Sequence, residues 1–156
     1  MSPAVNPQPQ QEEPKDGKEP NTEFKNLHYV IYEKGKLKWD IYAEEALIYK
    51  GNKVLLSKLK VCSAPKKGVC ITSQRGVYDP EKGSFTFEGD VVLKTPHDGR
   101  LRTIRLSYVP KKEILETMSK IQIDKQGLTI KGQGFIYDLR SGVMKVLHQT
   151  EVRVDG

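Results

Sequence analysis

The sequence lacks the residue patterns by which most enzymes and metal-binding proteins are recognised. Its three histidines, His28, His97 and His148, stand far from each other and from both cysteines, so none has the spacing of a metal site. The Gly-Gln-Gly run at 132–134 is too short for a phosphate-binding loop and opens no helix. No G-x-S-x-G motif or cysteine–histidine pair is present. We therefore expect no enzymatic activity, no metal and no cofactor.

Long apolar runs are also missing. No stretch approaches the ~18 consecutive apolar residues of a membrane-spanning helix, and no apolar segment of the signal-peptide kind follows Met1. The 37% hydrophobic and 29% charged residues suit an elongated β protein with a large surface. No amphipathic helical pattern longer than about three turns is found.

The first 22 residues have the composition of a linker. Five of the nine prolines lie among the first twenty residues, together with glutamines and almost nothing apolar. Such a segment cannot bury enough surface to offset the entropy lost on ordering. We predict a disordered, semi-extended spacer over residues 1–22 and one folded domain over residues 23–156.

Basic residues dominate the predicted folded domain. The whole chain has a formal charge of +6, and the part after the tail has 24 basic against 16 acidic residues, which gives +8. A basic domain favours anionic partners such as phosphates, nucleic acid or membrane surfaces. The basic residues are spread along the chain, however, which also suits a solvated surface.

Apolar and polar residues alternate along most of the predicted domain, as at 37–41, 84–88, 120–124 and 151–155. Successive side chains of a strand point to opposite faces, so each such segment has one apolar face. Turn signals separate the segments at 34–35, 51–52, 65–68, 79–83, 97–99 and 110–112. The pattern predicts an all-β fold.

Four tyrosines, Tyr49, Tyr78, Tyr108 and Tyr137, recur at intervals of 29, 30 and 29 residues. Two strands and two turns fit in one interval at ~3.3 Å per residue. A fixed period is typical of stacked units, each too small to bury its apolar face alone. We expect stacked two-strand units in a β-solenoid-like or folded-over sheet, whose inner face is a continuous apolar trough.

The first hairpin has two possible registers about its turn at Lys34-Gly35. A three-residue loop pairs Ile31 with Trp39, whereas a two-residue loop pairs Val30 with Trp39. We expect the three-residue loop, because it places the apolar pairs on one face.

Cys62 and Cys70 flank the turn at 65–68 symmetrically. In that hairpin they face each other, and facing Cβ atoms of antiparallel strands lie roughly 4.5–5.5 Å apart, near the upper limit for a disulfide. A disulfide also needs an oxidising compartment. We favour a disulfide over two free thiols.

Five runs of residues carry a resemblance to a known family. They are Tyr32-Glu33-x-Gly35-x-Leu37-x-Trp39-x-Ile41-x-Ala43-x-x-Ala46-x-x-Tyr49, Val69-x-Ile71-Thr72-Ser73-x-x-Gly76-x-Tyr78-Asp79, Phe85-x-Phe87-x-Gly89-Asp90-Val91-Val92-Leu93, Leu101-x-Thr103-x-x-Leu106-x-Tyr108 and Gly132-x-Gly134-Phe135-x-x-Asp138-Leu139. Their order and spacing over residues 24–154 resemble the LptC family, the periplasmic components of the lipopolysaccharide-export ABC transporter.

The resemblance implies a twisted, open β-jellyroll of the OstA-like kind, whose apolar interior binds the acyl chains of lipopolysaccharide. It implies relay of lipopolysaccharide from the inner-membrane ABC transporter to the periplasmic bridge protein LptA, during outer-membrane biogenesis and without catalysis. Family members have one N-terminal transmembrane helix, which these 156 residues do not include. The resemblance therefore implies a periplasmic domain that such a helix anchors to the inner membrane.

Two sets of residues are expected to form the binding sites. The lipid-binding interior comprises Trp39, Ile41, Ile71, Phe85, Phe87, Val91, Leu93, Ile121, Ile123 and Phe135. The partner edges comprise Tyr29 and Ile31 towards the transporter, and Val143, Val146, Val152 and Val154 towards the bridge protein. Unpaired edge strands also permit a homodimer.

Three other functions compete with this interpretation. A soluble LptA-like bridge protein shares the repeat but lacks the Glu-x-Gly-x-Leu-x-Trp hairpin. A nucleic-acid-binding β domain needs aromatic residues among exposed basic ones, whereas the aromatic residues here fall mostly at core-facing positions, so we expect no nucleic acid. A structural adaptor without a ligand is the third.

The oxidation state of the cysteines is directly testable. We expect no reactive thiol in the denatured, unreduced protein, and two per chain after reduction. Two reactive thiols before reduction would contradict the predicted Cys62–Cys70 bond.

Overall fold

A computed structural model describes residues 20–63 and 68–155 of the chain. The predicted disorder of the tail falls almost wholly outside these residues, as does most of the turn at 65–68. The predicted linker reached residue 22, whereas the first strand begins at Thr22.

The described residues form nine strands and no helix. The strands are β1 (Thr22–Glu33), β2 (Lys36–Ile48), β3 (Val54–Ser63), β4 (Cys70–Asp79), β5 (Ser84–Thr95), β6 (Gly99–Val109), β7 (Ile114–Lys125), β8 (Leu128–Asp138) and β9 (Met144–Val154). They make one antiparallel sheet in sequence order, from β1 at one edge to β9 at the other. The predicted all-β, open sheet is confirmed.

Strands β4 to β9 are interrupted near their middle. The register of neighbouring strands shifts between Thr72 and Arg75, Glu88 and Val91, Arg102 and Ser107, Thr117 and Lys120, and Lys131 and Gly132. Extra residues of this kind bend a strand and leave backbone groups unpaired. Because the shifts lie side by side, they form one line across the sheet, which we call the fold line.

The fold line divides the sheet into two arms. The disulfide arm contains 27–31, 39–43, 59–63, 70–72, 91–95, 99–103, 120–125, 128–131 and 151–154. The tyrosine arm contains 22–25, 45–48, 54–57, 75–79, 84–88, 105–109, 114–117, 135–138 and 144–146.

Aromatic contacts show that the two arms lie against each other. Trp39 in β2 and Tyr108 in β6 have ring centroids 5.1 Å apart, although four strand spacings of ~4.8 Å separate their strands in the sheet. Tyr29 in β1 lies edge-on to Tyr78 in β4 at 6.1 Å. The sheet is therefore folded over, and the apolar inner faces of both arms enclose the core.

Side-chain hydroxyls satisfy backbone groups along the fold line. The buried Thr103 hydroxyl donates to the carbonyl of Lys120 at 2.9 Å, and that of Ser73 donates to the carbonyl of Arg75 at 2.9 Å. Thr117 Oγ1 accepts a hydrogen bond from the backbone N–H two residues later, at 3.1 Å. Small hydroxyl residues thus replace some of the ladder bonds that the register shifts remove.

The four repeat tyrosines are all buried, with 4–8% of their surface exposed. Tyr78, Tyr108 and Tyr137 each lie one residue before the end of an even-numbered strand, and Tyr49 lies directly after β2. Each interval between them holds two strands, as the period predicted.

Two of the tyrosines precede an aspartate that closes the following turn. Asp79 Oδ1 accepts a hydrogen bond from the N–H of Glu81 at 3.1 Å, and Asp138 Oδ1 accepts one from Arg140 at 2.8 Å. Hydrogen bonds from the backbone N–H groups of Ser141 and Arg140 lower the pKa of Asp138. The aspartates hold these turns as Asx-turns.

The first hairpin combines both predicted alternatives. Its turn is a two-residue one, because Glu33 pairs with Lys36, so the expected three-residue loop is wrong. A register shift beside Ile31 then restores the expected pairing of Ile31 with Trp39. A bulge, rather than the loop length, keeps the apolar residues on one face.

Replacement of a fold-line hydroxyl tests this account of the fold. Thr103→Val keeps the side-chain shape but removes the donor that the buried Thr103 supplies to the carbonyl of Lys120, so we expect a loss of about 1–3 kcal/mol in the free energy of unfolding. Urea denaturation measures the change. Thr86→Val, on the outer face of β5, is the control and is expected to change stability by less than about 0.5 kcal/mol. Equal effects of the two substitutions contradict the role of the fold-line hydroxyl.

Candidate binding interior and sheet edges

The structure brings all ten residues expected to line the interior into one hydrophobic cluster. None of them is more than 5% exposed. They come from both arms, since Phe85 and Phe87 lie in the tyrosine arm and stack on each other at 4.6 Å, whereas Leu93 and Ile71 pair in the disulfide arm. A ligand therefore reaches these side chains only when the arms separate.

The interior carries no charge among the described residues. The buried polar or charged residues are Ser73, Thr103, Thr117 and Thr129. The buried hydroxyls of Tyr78, Tyr108 and Tyr137 stay neutral, because burial raises the pKa of each. The arrangement suits an apolar chain.

The inner face of the disulfide arm becomes progressively exposed towards β9. One row of paired residues runs from Leu93 through Leu101, Ile123 and Ile130 to Val152. The exposed fraction rises along this row from 0% at Leu93 and 3% at Ile123 to 50% at Val152. The apolar interior thus continues to the β9 edge without a cover in the described part of the chain.

Val154 and Leu128 form a second pair on the same uncovered face, and Val154 is 74% exposed. Sequence reasoning selected Val152 and Val154 but missed Leu128 and Ile130 on β8. The alternation after Gly127 gives the signal that identifies both, because it places them on the face of Ile123.

The other two residues expected at the C-terminal edge, Val146 and Val143, do not lie on the uncovered face of Val152 and Val154. Val146 pairs with Phe135 and is half-buried against the core. Val143 precedes β9, whose first residue is Met144, so Val143 lies in the connection between β8 and β9 rather than in the edge strand, and its side chain is exposed.

The β1 edge is more completely closed than the β9 edge. Tyr29 and Ile31 are half-buried against the core, and the ring of Tyr29 meets Tyr78 of the opposite arm. The outward-facing Val30 is 38% exposed. Lys38, next to this edge, contacts Glu113 of the tyrosine arm at 3.4 Å.

Lys38 forms a charged contact between the tips of the arms. Burial lowers its pKa, but Tyr108, Glu113 and Glu33 raise the pKa by more, so the net shift is upward. The side-chain amine of Lys38 is therefore protonated at neutral pH, and its contact with Glu113 holds the two arms together at this end.

Cys62 and Cys70 pair directly in the β3–β4 ladder and are joined by a disulfide bond, with their Cα atoms 4.1 Å apart. The bond lies at the tip of the disulfide arm, on the outer face. It ties the two strands together beside the outer surface rather than lining the interior.

The sequence matches the model of the family described as "Lipopolysaccharide-assembly, LptC-related" over residues 10–61 and 56–155. The two matches together span most of the chain, so this protein belongs to that family. No curated protein matches the sequence. The family acts in lipopolysaccharide transport for the outer membrane, as a transport component associated with the inner membrane and the periplasm. Within the described residues, no helix is long and apolar enough to cross a membrane.

Proposed function

We propose that this protein binds the acyl chains of lipopolysaccharide between its two arms and passes them from the inner-membrane ABC transporter to a periplasmic bridge protein. The observation that carries the proposal is the row from Leu93 to Val152, which is apolar throughout and opens to the surface at one edge. An N-terminal helix outside these 156 residues would anchor the domain to the inner membrane.

The contacts between the arms support an interior that opens. Among the described residues, ladder pairing joins only neighbouring strands of one sheet, and β1 does not pair with β9. Separation of the arms therefore breaks side-chain contacts such as Trp39–Tyr108 and Lys38–Glu113, but no ladder hydrogen bonds. Acyl chains that enter replace the lost apolar contacts at about 0.8 kcal/mol for each buried CH₂ group.

The β9 edge suits the addition of a further strand. An unpaired edge offers a row of backbone N–H and C=O groups to another chain. An added strand there would also cover Val152 and Val154, so the apolar inner face of this protein would continue into that of the partner. We assign this edge to the LptA-type bridge protein and the β1 edge to the transporter.

A photo-crosslinking amino acid at Phe87 tests acyl-chain binding. We expect adducts with lipopolysaccharide at Phe87 but not at Thr86, its neighbour in β5 that faces outward. Ile71 serves as a second interior position, and a thermal melt of each variant establishes that it folds. A folded variant without adducts at either interior position contradicts the proposal and favours an adaptor without a ligand.

Charges on the inner face of β9 test the assignment of the bridge-protein edge. Because inward-pointing charges block strand addition, we expect Val152→Lys combined with Val154→Lys to weaken binding of the bridge protein by about tenfold or more. Deletion of residues 143–154 should abolish binding. Glu151→Lys adds the same charge to the opposite face of β9 and is the matched control. Equal binding by the double variant and the control, measured by calorimetry, would refute the assignment.

A further inference from the structure

The outer face of the disulfide arm carries several basic side chains that form no ion pair among the described residues. Its outward side chains include Lys60, Lys94, Arg100, Arg102, Lys120 and Lys131, which we call the basic face. All six are exposed, and among the described residues none of them forms an ion pair.

The strand register places these cations close together. Lys94 of β5 pairs with Arg100 of β6, and Arg102 lies two residues further along the same face. A single cross-strand row joins Lys60, Arg102 and Lys131 through intervening uncharged residues. At ~4.8 Å between strands and ~3.3 Å per residue, the six positions fit within roughly 25 by 15 Å.

Three adjoining surface grooves connect the six side chains. Lys60, Lys94 and Arg100 line a groove of 410 Å³, and Arg102, Lys120 and Lys131 line one of 550 Å³. A third groove, of 710 Å³, is lined by Lys94, Arg100 and Arg102 and so joins the other two.

Acidic groups near this face do not neutralise it. Asp124 lines the largest groove, where Gln122 and Thr129 donate hydrogen bonds to its carboxylate at 3.1–3.2 Å. Glu151 is opposite Lys131 in the ladder, and Asp155 contacts Arg153 at 3.4 Å. The six cations therefore outnumber the acids that lie among them.

The outer face of the tyrosine arm has a different charge pattern. Its central row contains Glu45, Arg75, Glu88 and Arg105, which alternate in sign, and Arg105 forms an ion pair with Glu88. A charge that served solubility alone would be shared by both outer faces. Its concentration on one arm indicates a partner for that arm.

We propose that the basic face binds the surface of a bilayer that contains anionic phospholipid, so that the disulfide arm lies on the membrane. Lysine and arginine near such a surface are attracted to its phosphates, each by about fivefold in the binding constant. The family is associated with the inner membrane, so a bilayer is within reach. Tyr42 lies opposite Lys60 at one end of the basic face, but the residues between the cations of the cross-strand row, Thr72, Val92 and Gln122, are not aromatic, which disfavours stacking with successive nucleic-acid bases.

Vesicle co-sedimentation tests this proposal with the 156-residue chain. We expect binding to vesicles of equal parts phosphatidylglycerol and phosphatidylcholine, falling steeply with salt, and little binding to phosphatidylcholine alone. Replacement of Lys94, Arg100 and Arg102 by Gln should weaken binding about 100-fold. The matched control replaces Arg75, Lys82 and Lys145 by Gln, which removes the same charge from the other arm and its turns.

Three results overturn the proposal. The first is equal binding to vesicles with and without phosphatidylglycerol, and the second is an equal loss of vesicle binding in the two triple variants. The third is displacement of the protein from the vesicles by free pyrophosphate at equal phosphate concentration, which indicates a site for soluble phosphate. Circular dichroism establishes that both variants fold. Crosslinking of lipopolysaccharide at Phe87 should be unchanged in both variants, so failure of the membrane proposal is distinguishable from failure of acyl-chain binding.

Discussion

The fold line is the constraint on which the rest of the structure depends. A flat sheet of nine strands with one apolar face would expose that face, whereas the register shifts allow strands β4 to β9 to bend at the same level. Gly89 and Asp90, both with positive φ, provide the bend in β5, and the hydroxyls of Ser73 and Thr103 bond to backbone groups beside it. The core exists because these local irregularities are aligned.

The period of the tyrosines and the alternation of apolar residues were sufficient to predict the all-β fold, its two-strand repeat and the inward-facing residues, but not the order in which the strands pair. They were insufficient to predict where each strand bends. Within β6 the buried positions change from Leu101 and Thr103 to Leu106 and Tyr108, so the alternation skips one residue. One skipped residue in a single strand is weak evidence for a bend. The bend becomes recognisable only in the sheet, where the register shifts of neighbouring strands lie beside each other.

Sequence reasoning also treated the positive charge as evenly spread, because Lys60 and Lys131 are distant in the chain. In the sheet they share one row with Arg102. Alternation sends every second residue of a strand outward, and antiparallel pairing then gathers outward residues from separate repeats. The same geometry that builds an apolar interior therefore builds a charged exterior on the disulfide arm.

The two edges of the sheet differ in how completely they cover the apolar interior. At β1, Tyr29 and Ile31 pack against the core, and the contact between Lys38 and Glu113 holds the arms together nearby. At β9, Val152 and Val154 remain uncovered. Apolar surface left in water favours a partner that covers it, whereas the closed end must first be opened by separating the arms. In the relay proposed above, entry at β1 would therefore require separation of the arms, whereas exit at β9 would require only that the next sheet is in place.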